Sequence, residues 1–179
     1  MHYRIIVCNL QTLGNIDGDE VVAAITQSNY HTLCEQYGLN TGLVETGMMA
    51  LEVAAVRRSL APFFALYYLP NRQQPIIVNE WDIREPAGEE WLESLLIEAP
   101  SREVEKHLRC ARFIVAIELS STQLEDLGGL LAYELARWAV ERGHGLIRGL
   151  DGVWYRLNDH KAFIPVRGAL FKTDHSRIE

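Results

Sequence analysis

Alternating and continuous apolar runs in this 179-residue chain predict the strands of a sheet. YRIIVCNL (3–10) is rich in β-branched residues and predicts the first strand. RFIVAIEL (112–119) is apolar at successive positions, which is typical of a central strand buried on both faces. Between them, PFFALYYLP (62–70) and PIIVNEWDI (75–83) predict a hairpin across NRQQ.

Helical spacing of apolar residues predicts helices over residues 17–38, 87–99 and 101–111. The first has acidic residues in its first turn, and we expect it to be broken near Ser28. Ser101 is a good N-cap for the third, because its hydroxyl can accept a hydrogen bond from a free backbone N–H.

The longest predicted helix is SSTQLEDLGGLLAYELARWAVERG (120–143). Thr122 and Glu125 have the spacing of a capping box at its start. Gly128 and Gly129 lower helix propensity, which indicates a close approach to a strand or an aromatic side chain. The predicted buried stripe consists of Leu124, Leu127, Leu131, Leu135 and Trp138.

This long helix is apolar on a second side as well, so another element or another chain must cover it. We expect the helices of residues 88–110 to do so, and an oligomer or partner surface is the alternative. Glu134, Arg137 and Glu141 follow one edge of the helix and predict a solvated ladder of ion pairs. The residues of the second apolar side are Tyr133, Ala136 and Val140.

Together these elements predict an α+β fold with a mixed or largely antiparallel sheet and helices packed on it. Residues 48–58 fit either a helix or a strand, and their alternation favours a strand. Residues 1–171 are expected to form one domain and residues 172–179 a flexible tail. Both halves of the chain share the order β-α-β-β(-β), which would fit an internal duplication with a cleft between the halves.

Composition narrows the classes of function. The formal net charge of -7 leaves no surplus of cations for phosphates, which disfavours nucleic-acid binding and favours a basic protein partner. No apolar run reaches the about 20 residues that span a bilayer. Without a signal-like N-terminus or paired cysteines, we expect a cytoplasmic protein that needs no cofactor or metal.

The segment RGHGLIRGLDGVWYRLNDH (142–160) concentrates glycine and ionisable residues. Gly143, Gly145 and Gly149 come within one residue of a dinucleotide fingerprint. They follow a helix and enter a strand, however, so a phosphate would meet the negative end of the helix dipole. Nucleotide binding is therefore not predicted here.

A helix cap and a hairpin account for the same glycines. Gly143 is expected to be the left-handed residue that ends the long helix. Asp151-Gly152 predicts a two-residue turn. That turn would pair Arg148 with Tyr155 and would place the indole of Trp154 over Gly149.

Continued to its open end, this register sets His144 opposite Asp159, on the face that carries Arg148 and Tyr155. A carboxylate beside an imidazole can fix its tautomer and raise its basicity, so these four residues are the candidate catalytic group. The alternative is a histidine that only interacts with the C-terminal end of the helix.

Two further groups of residues are weaker candidates. Tyr67, Trp81 and Trp154 could line a ligand pocket, although aromatic strand residues more often belong to the core. The carboxylates Glu80, Asp82 and Glu118 lie near strand ends and could share one acidic site.

The sequence favours a non-catalytic protein-binding or regulatory domain, of an immunity-like kind, that uses an acidic surface to bind a partner or itself. Two alternatives stay open. One is a small-molecule binder that uses the aromatic residues, and the other is an acid/base enzyme that uses His144 and Asp159.

Overall fold

The computed structural model describes residues 2–28, 30–31, 34–35, 38–55, 63–69 and 71–166. Eight strands and six helices lie within these ranges. The strands are β1 (His2–Asn9), β2 (Glu52–Ala55), β3 (Phe63–Tyr67), β4 (Ile76–Asp82), β5 (Phe113–Ser120), β6 (Leu146–Arg148), β7 (Trp154–Leu157) and β8 (Phe163–Pro165). The helices are α1 (Gly18–Thr26), α2 (Thr41–Met48), α3 (Pro86–Ile97), α4 (Arg102–Cys110), α5 (Ser121–Leu124) and α6 (Gly128–Gly143).

All eight strands belong to one sheet with the order β2-β3-β4-β5-β1-β6-β7-β8. Neighbouring strands are antiparallel throughout. The predicted α+β fold with a largely antiparallel sheet is therefore confirmed.

Helices cover both faces of this sheet, because the central strands are apolar at successive positions. On one face, Ile5 and Ile117 pack with α1, α2 and α6 in the larger core. On the other face, Ile6 and Ile114 pack with α3 and α4 in a second core. The strand predicted over 112–119 is thus central and buried on both sides.

The two halves of the chain share an order of elements but not a sheet topology. After β1 the chain goes to the edge strand β2 and returns inward to β4. After β5 it begins at the inner strand β6 and proceeds outward to β8. Because β1 and β5 are paired from His2↔Ser120 to Asn9↔Phe113, the sheet is continuous where a cleft between duplicated halves was expected.

Two predictions for the first half of the chain are confirmed within the described residues, and one helix was missed. The first helix ends at Thr26, which confirms the expected break, whereas Asn29 lies outside the described residues. Residues 52–55 form β2, as the alternation favoured, and residues 56–58 are outside the described ranges, as is the predicted tail. Helix α2, which begins after the N-cap Asn40, was not predicted at all.

The predicted long helix is divided into α5 and α6. The predicted capping box of Thr122 and Glu125 is wrong, because the N-cap of α5 is Ser120, whose backbone N–H donates to Gln123 Oε1 at 2.7 Å. Gly128 begins α6, and a Cβ atom there would lie 2.6 Å from Tyr68 Oη. The expected approach of an aromatic side chain is therefore found at Gly128.

Helix α6 is buried along nearly its whole length. Its second apolar side is covered within the chain, as expected, but α3 and α4 lie on the opposite face of the sheet and do not cover it. Instead, the ring of Tyr133 packs edge-on against Phe163 of β8, with centroids 5.6 Å apart, and its hydroxyl accepts a hydrogen bond from Leu150 N.

In the described part of the chain, no helix is both long enough and apolar enough to cross a membrane.

The register predicted for the β6–β7 hairpin is wrong by one residue. Ile147 pairs with Tyr155 and Arg148 with Trp154. The loop contains three residues instead of two, because Gly149 N donates to Val153 O at 2.9 Å. Gly152 takes a positive φ of 77°, typical of the bulge that follows such a turn. Side chains alternate along a strand, so the one-residue shift moves every β7 side chain to the opposite face from the one predicted relative to β6. Trp154, and not Tyr155, therefore shares a face with Arg148.

The residue that ends α6 in the left-handed region is His144, with φ 57°, and not Gly143 as predicted. Gly143 serves another purpose, because a Cβ atom there would lie 2.2 Å from Asn9 Nδ2. Asn9 is fully buried and donates to Ala139 O at 3.1 Å. The glycine thus lets the end of α6 pack against the end of β1.

The adjacent glycines of α6 allow a matched test of this packing. We expect Gly128→Ala to lower the free energy of unfolding by about 1–3 kcal/mol, because its new methyl group meets Gln123 O and Tyr68 Oη. Gly129→Ala should raise it by about 0.5 kcal/mol, because nothing lies within 4 Å of that Cβ position. Urea unfolding of both variants measures the difference, and equal effects would contradict the described packing.

Candidate functional site

The candidate catalytic residues are not brought together. His144 and Asp159 are both exposed, and among the described residues neither side chain has a hydrogen-bond or ion-pair partner. With the observed register the contact that motivated their assignment is not formed. Their catalytic role stays a prediction without that support.

Tyr155 and Arg148 lie on opposite faces of the sheet as a result of the same shift. Tyr155 Oη donates to Asp151 Oδ2 at 2.5 Å on the face of α6, where burial raises the pKa of the phenol. Arg148 Nη2 donates to Glu98 Oε2 at 2.7 Å on the face of α3. The expected four-residue group is therefore divided by the sheet.

The three candidate ligand-binding aromatic residues share a face of the sheet, but they do not form one pocket. Trp154 is buried in the second core, and the predicted cover of Gly149 by its indole is wrong because Trp154 pairs with Arg148. Trp81 of β4 stacks on Trp91 of α3, with ring centroids 5.0 Å apart. Tyr67 is half-buried at the end of β3.

The three candidate carboxylates also occupy separate environments. Glu80 is buried towards α6, where Leu13 N donates to it at 2.6 Å and burial raises its pKa. Asp82 binds Arg84, whose guanidinium lowers the pKa of Asp82 to about 2.

Glu118 forms a 2.8 Å ion pair with Arg4 on the opposite face of the sheet from Glu80. The idea of one acidic site is therefore wrong. Within the described ranges, no group of three or more His, Cys, Asp and Glu residues is arranged to hold a metal ion.

An apolar groove lies instead between α2, the end of β3 and the start of α6. Its cavity has a volume of about 350 Å³. Leu43 is 75% exposed and Leu69 is 42% exposed, although both are large apolar side chains. The lining residues used below are Leu43, Val44, Leu69, Glu125, Asp126 and Leu127. We call this feature the apolar groove.

The groove is built on fixed polar contacts. The hydroxyl of buried Tyr68 donates to Asp126 Oδ1 at 2.8 Å, and Gly128 N donates to the same oxygen at 2.7 Å. Burial of the phenol and this acceptor both raise the pKa of Tyr68. On the other wall, Asn40 Oδ1 accepts from the first N–H groups of α2, which positions Leu43.

Acidic groups accompany the apolar surface of the groove. Glu125 is exposed and Asp126 is half-buried, and none of the described lining residues is basic. Met49, 84% exposed at the end of α2, extends the apolar surface of that helix. The combination of apolar floor and acidic rim can bind apolar side chains that are flanked by cations.

Sequence patterns did not point to this groove, because α2 was not predicted. One local signal was present: Asn40 is a typical N-cap, and Val44 and Met48 follow at helical spacing. The contributions of Leu69 and Leu127 come from distant segments, so their proximity could be known only from the fold.

The predicted surface ladder on α6 is wrong for two of its three residues. Glu134 and Arg137 are buried, with side chains only 1% and 10% exposed, and form an ion pair at 3.0 Å. Burial raises the pKa of Glu134, and the Arg137 guanidinium opposes that rise. Glu141 lies nearer to solvent and binds Lys161 Nζ at 3.0 Å.

The raised pKa of Glu134 gives a pH dependence with a definite sign. The folded state holds this proton more tightly than the unfolded state does. We therefore expect the free energy of unfolding of the wild type, relative to Glu134→Gln, to fall as pH rises above about 4.3, the ordinary pKa of Glu. Urea titrations of both proteins at several pH values measure this. A constant difference across that range would contradict the buried position of Glu134.

Comparison with known proteins finds no family model, no curated relative and no solved structure that matches this chain.

Proposed function

We propose that this protein is a non-catalytic, regulatory or immunity-like binding domain whose apolar groove holds a segment of a basic protein partner. The observation that carries the proposal is the groove itself, with exposed Leu43 and Leu69 above an apolar floor and two carboxylates in its lining. The segment that fits this chemistry has apolar side chains flanked by Lys or Arg.

The apolar part of the groove supplies the affinity in this proposal. Burying a Leu side chain stabilises a complex by about 1.5–3 kcal/mol. Both Leu43 and Leu69 retain much of their surface in the free protein, so this free energy is available on binding. The hydrogen bonds of Tyr68 and Asp126 hold the groove in place, which lowers the entropy that binding must overcome.

Charge favours a different protein over a second copy of this chain. The chain has a net charge of -7, and the described groove lining contributes carboxylates only. Two such grooves facing each other would repel, whereas a basic segment would be attracted and held in register. The same groove would also reject acidic segments of equal hydrophobicity.

A peptide of defined chemistry tests the proposal without knowledge of the natural partner. We expect a synthetic amphipathic peptide of about 15 Leu and Lys residues to bind, because an apolar helix face suits such grooves. The double variant Leu43→Gln/Leu69→Gln should weaken binding by about tenfold or more, since it removes apolar surface that binding buries. Isothermal titration calorimetry measures affinity, and methyl NMR locates the contact.

Ile97 provides the matched control, because it is 87% exposed on α3, on the other side of the sheet. Ile97→Gln should leave the affinity unchanged, and a Leu/Glu peptide of the same pattern should not bind. The proposal would be overturned by equal losses in both variants, or by equal binding of the acidic peptide. Methyl shifts confined to residues outside the groove would also overturn it.

A further inference from the structure

A second cavity on the α6 side of the sheet is polar and shares no lining residue with the apolar groove. It has a volume of about 390 Å³ and lies between the end of α1, the middle of α6 and the β7–β8 turn. We call it the polar pocket. The lining residues that matter here are Ala24, Glu134, Arg137, Trp138, Glu141 and Lys161.

The buried ion pair in this pocket is only partly satisfied. Glu134 Oε2 accepts from Arg137 Nη1, but Glu134 Oε1 and Arg137 Nε have no hydrogen-bond partner among the described residues. The hydroxyl of Ser28 donates to Ile25 O at 2.7 Å, and it also lies close enough to Glu134 to lower the pKa of that carboxyl. Buried polar atoms without partners are costly, so the pair has unused capacity for one acceptor and one donor.

A second ion pair lies at the more exposed side of the pocket. Lys161 Nζ binds Glu141 Oε2, and Lys161 has a φ of 60°, a left-handed conformation that costs a residue with a side chain roughly 1–2 kcal/mol. A glycine at this position would avoid that cost. The strained backbone presents the Lys161 ammonium beside the carboxylate of Glu141.

The ionisable lining residues other than His160 are two carboxylates and two cations. This balance disfavours a ligand with a large net charge of either sign. A ligand that carries an ammonium and a carboxylate is complementary to both pairs, because each of its charges meets a group of opposite sign.

We propose that the polar pocket binds a small zwitterion of the α-amino-acid type over the Glu134–Arg137 and Glu141–Lys161 pairs. The ligand ammonium lies towards the two carboxylates, and its carboxylate lies towards the two cations. The indole of Trp138 and the methyl group of Ala24 form the apolar wall, which suits an aliphatic side chain. This site is independent of the apolar groove and of any partner bound there.

Three aliphatic amino acids serve as probes, namely L-leucine, L-valine and L-methionine. We expect at least one to bind saturably, with a Kd below about 1 mM, as measured by calorimetry and NMR. For leucine, the matched analogues are leucinamide, which lacks the carboxylate, and 4-methylpentanoate, which lacks the ammonium. Each analogue should bind at least tenfold more weakly. Failure of all three amino acids to saturate, or equal binding of an analogue, overturns the proposal.

A double variant keeps the fold while removing the charged floor. Replacement of a whole buried ion pair by apolar residues is often neutral for stability, so Glu134→Met/Arg137→Met is expected to fold and to lose amino-acid binding. The control is Glu105→Met/Arg109→Met, which removes an exposed pair on α4 and should bind as the wild type does. Binding by the first variant that equals the wild type overturns the site.

Lys161→Gly gives a second test that does not depend on the buried pair. The variant removes the ammonium while it relieves the left-handed strain, so folding should be preserved or improved. We expect its affinity for the amino acid to fall at least tenfold with no loss of thermal stability. The Leu43→Gln/Leu69→Gln variant should retain amino-acid binding, so failure of the apolar groove proposal leaves this result unaffected.

Discussion

The antiparallel pairing of β1 with β5 is the constraint on which the rest of the structure depends. Eight residue pairs join these strands in the middle of the sheet, and the four pairs from Ile5↔Ile117 to Cys8↔Ile114 have buried side chains on both faces. Because side chains alternate along each strand, one register determines which residues meet α6 and which meet α3 and α4. All other strands extend the sheet outward from this pair.

The end of β1 also positions α6, which lines the polar pocket and begins directly after Leu127 of the apolar groove. Asn9 O accepts a hydrogen bond from Arg112 N, which joins the end of β1 to the start of β5. The Asn9 side chain bonds Ala139 O and occupies the space that a Cβ atom at Gly143 or Gly145 would need. Helix α6 is thereby held against the centre of the sheet.

Helix α6 is buried on both sides, so the charged residues in its middle point to a binding site. Leu127, which directly precedes α6, lines the apolar groove, and the middle of the helix contributes Glu134 and Arg137 to the polar pocket. A charged residue on a surface helix stays hydrated, so it costs little folding free energy. On a buried helix the same residue loses its water and needs a partner of opposite charge or a hydrogen bond. The polar pocket therefore depends on the burial of α6, whereas the apolar groove is formed by residues outside that helix.

Sequence patterns alone determined the central strands, the β3–β4 hairpin, α3 and α4, because apolar period and capping residues are local properties. The tertiary structure decided what depends on distant atoms. One extra loop residue, Leu150, placed Tyr155 and Arg148 on opposite faces of the sheet. The elements that cover α6 buried Glu134 and Arg137, which were expected to form a surface ladder with Glu141. A local sequence pattern shows neither effect. The register of a hairpin depends on the conformation of its whole turn, and the burial of a side chain depends on elements that are far apart in the chain.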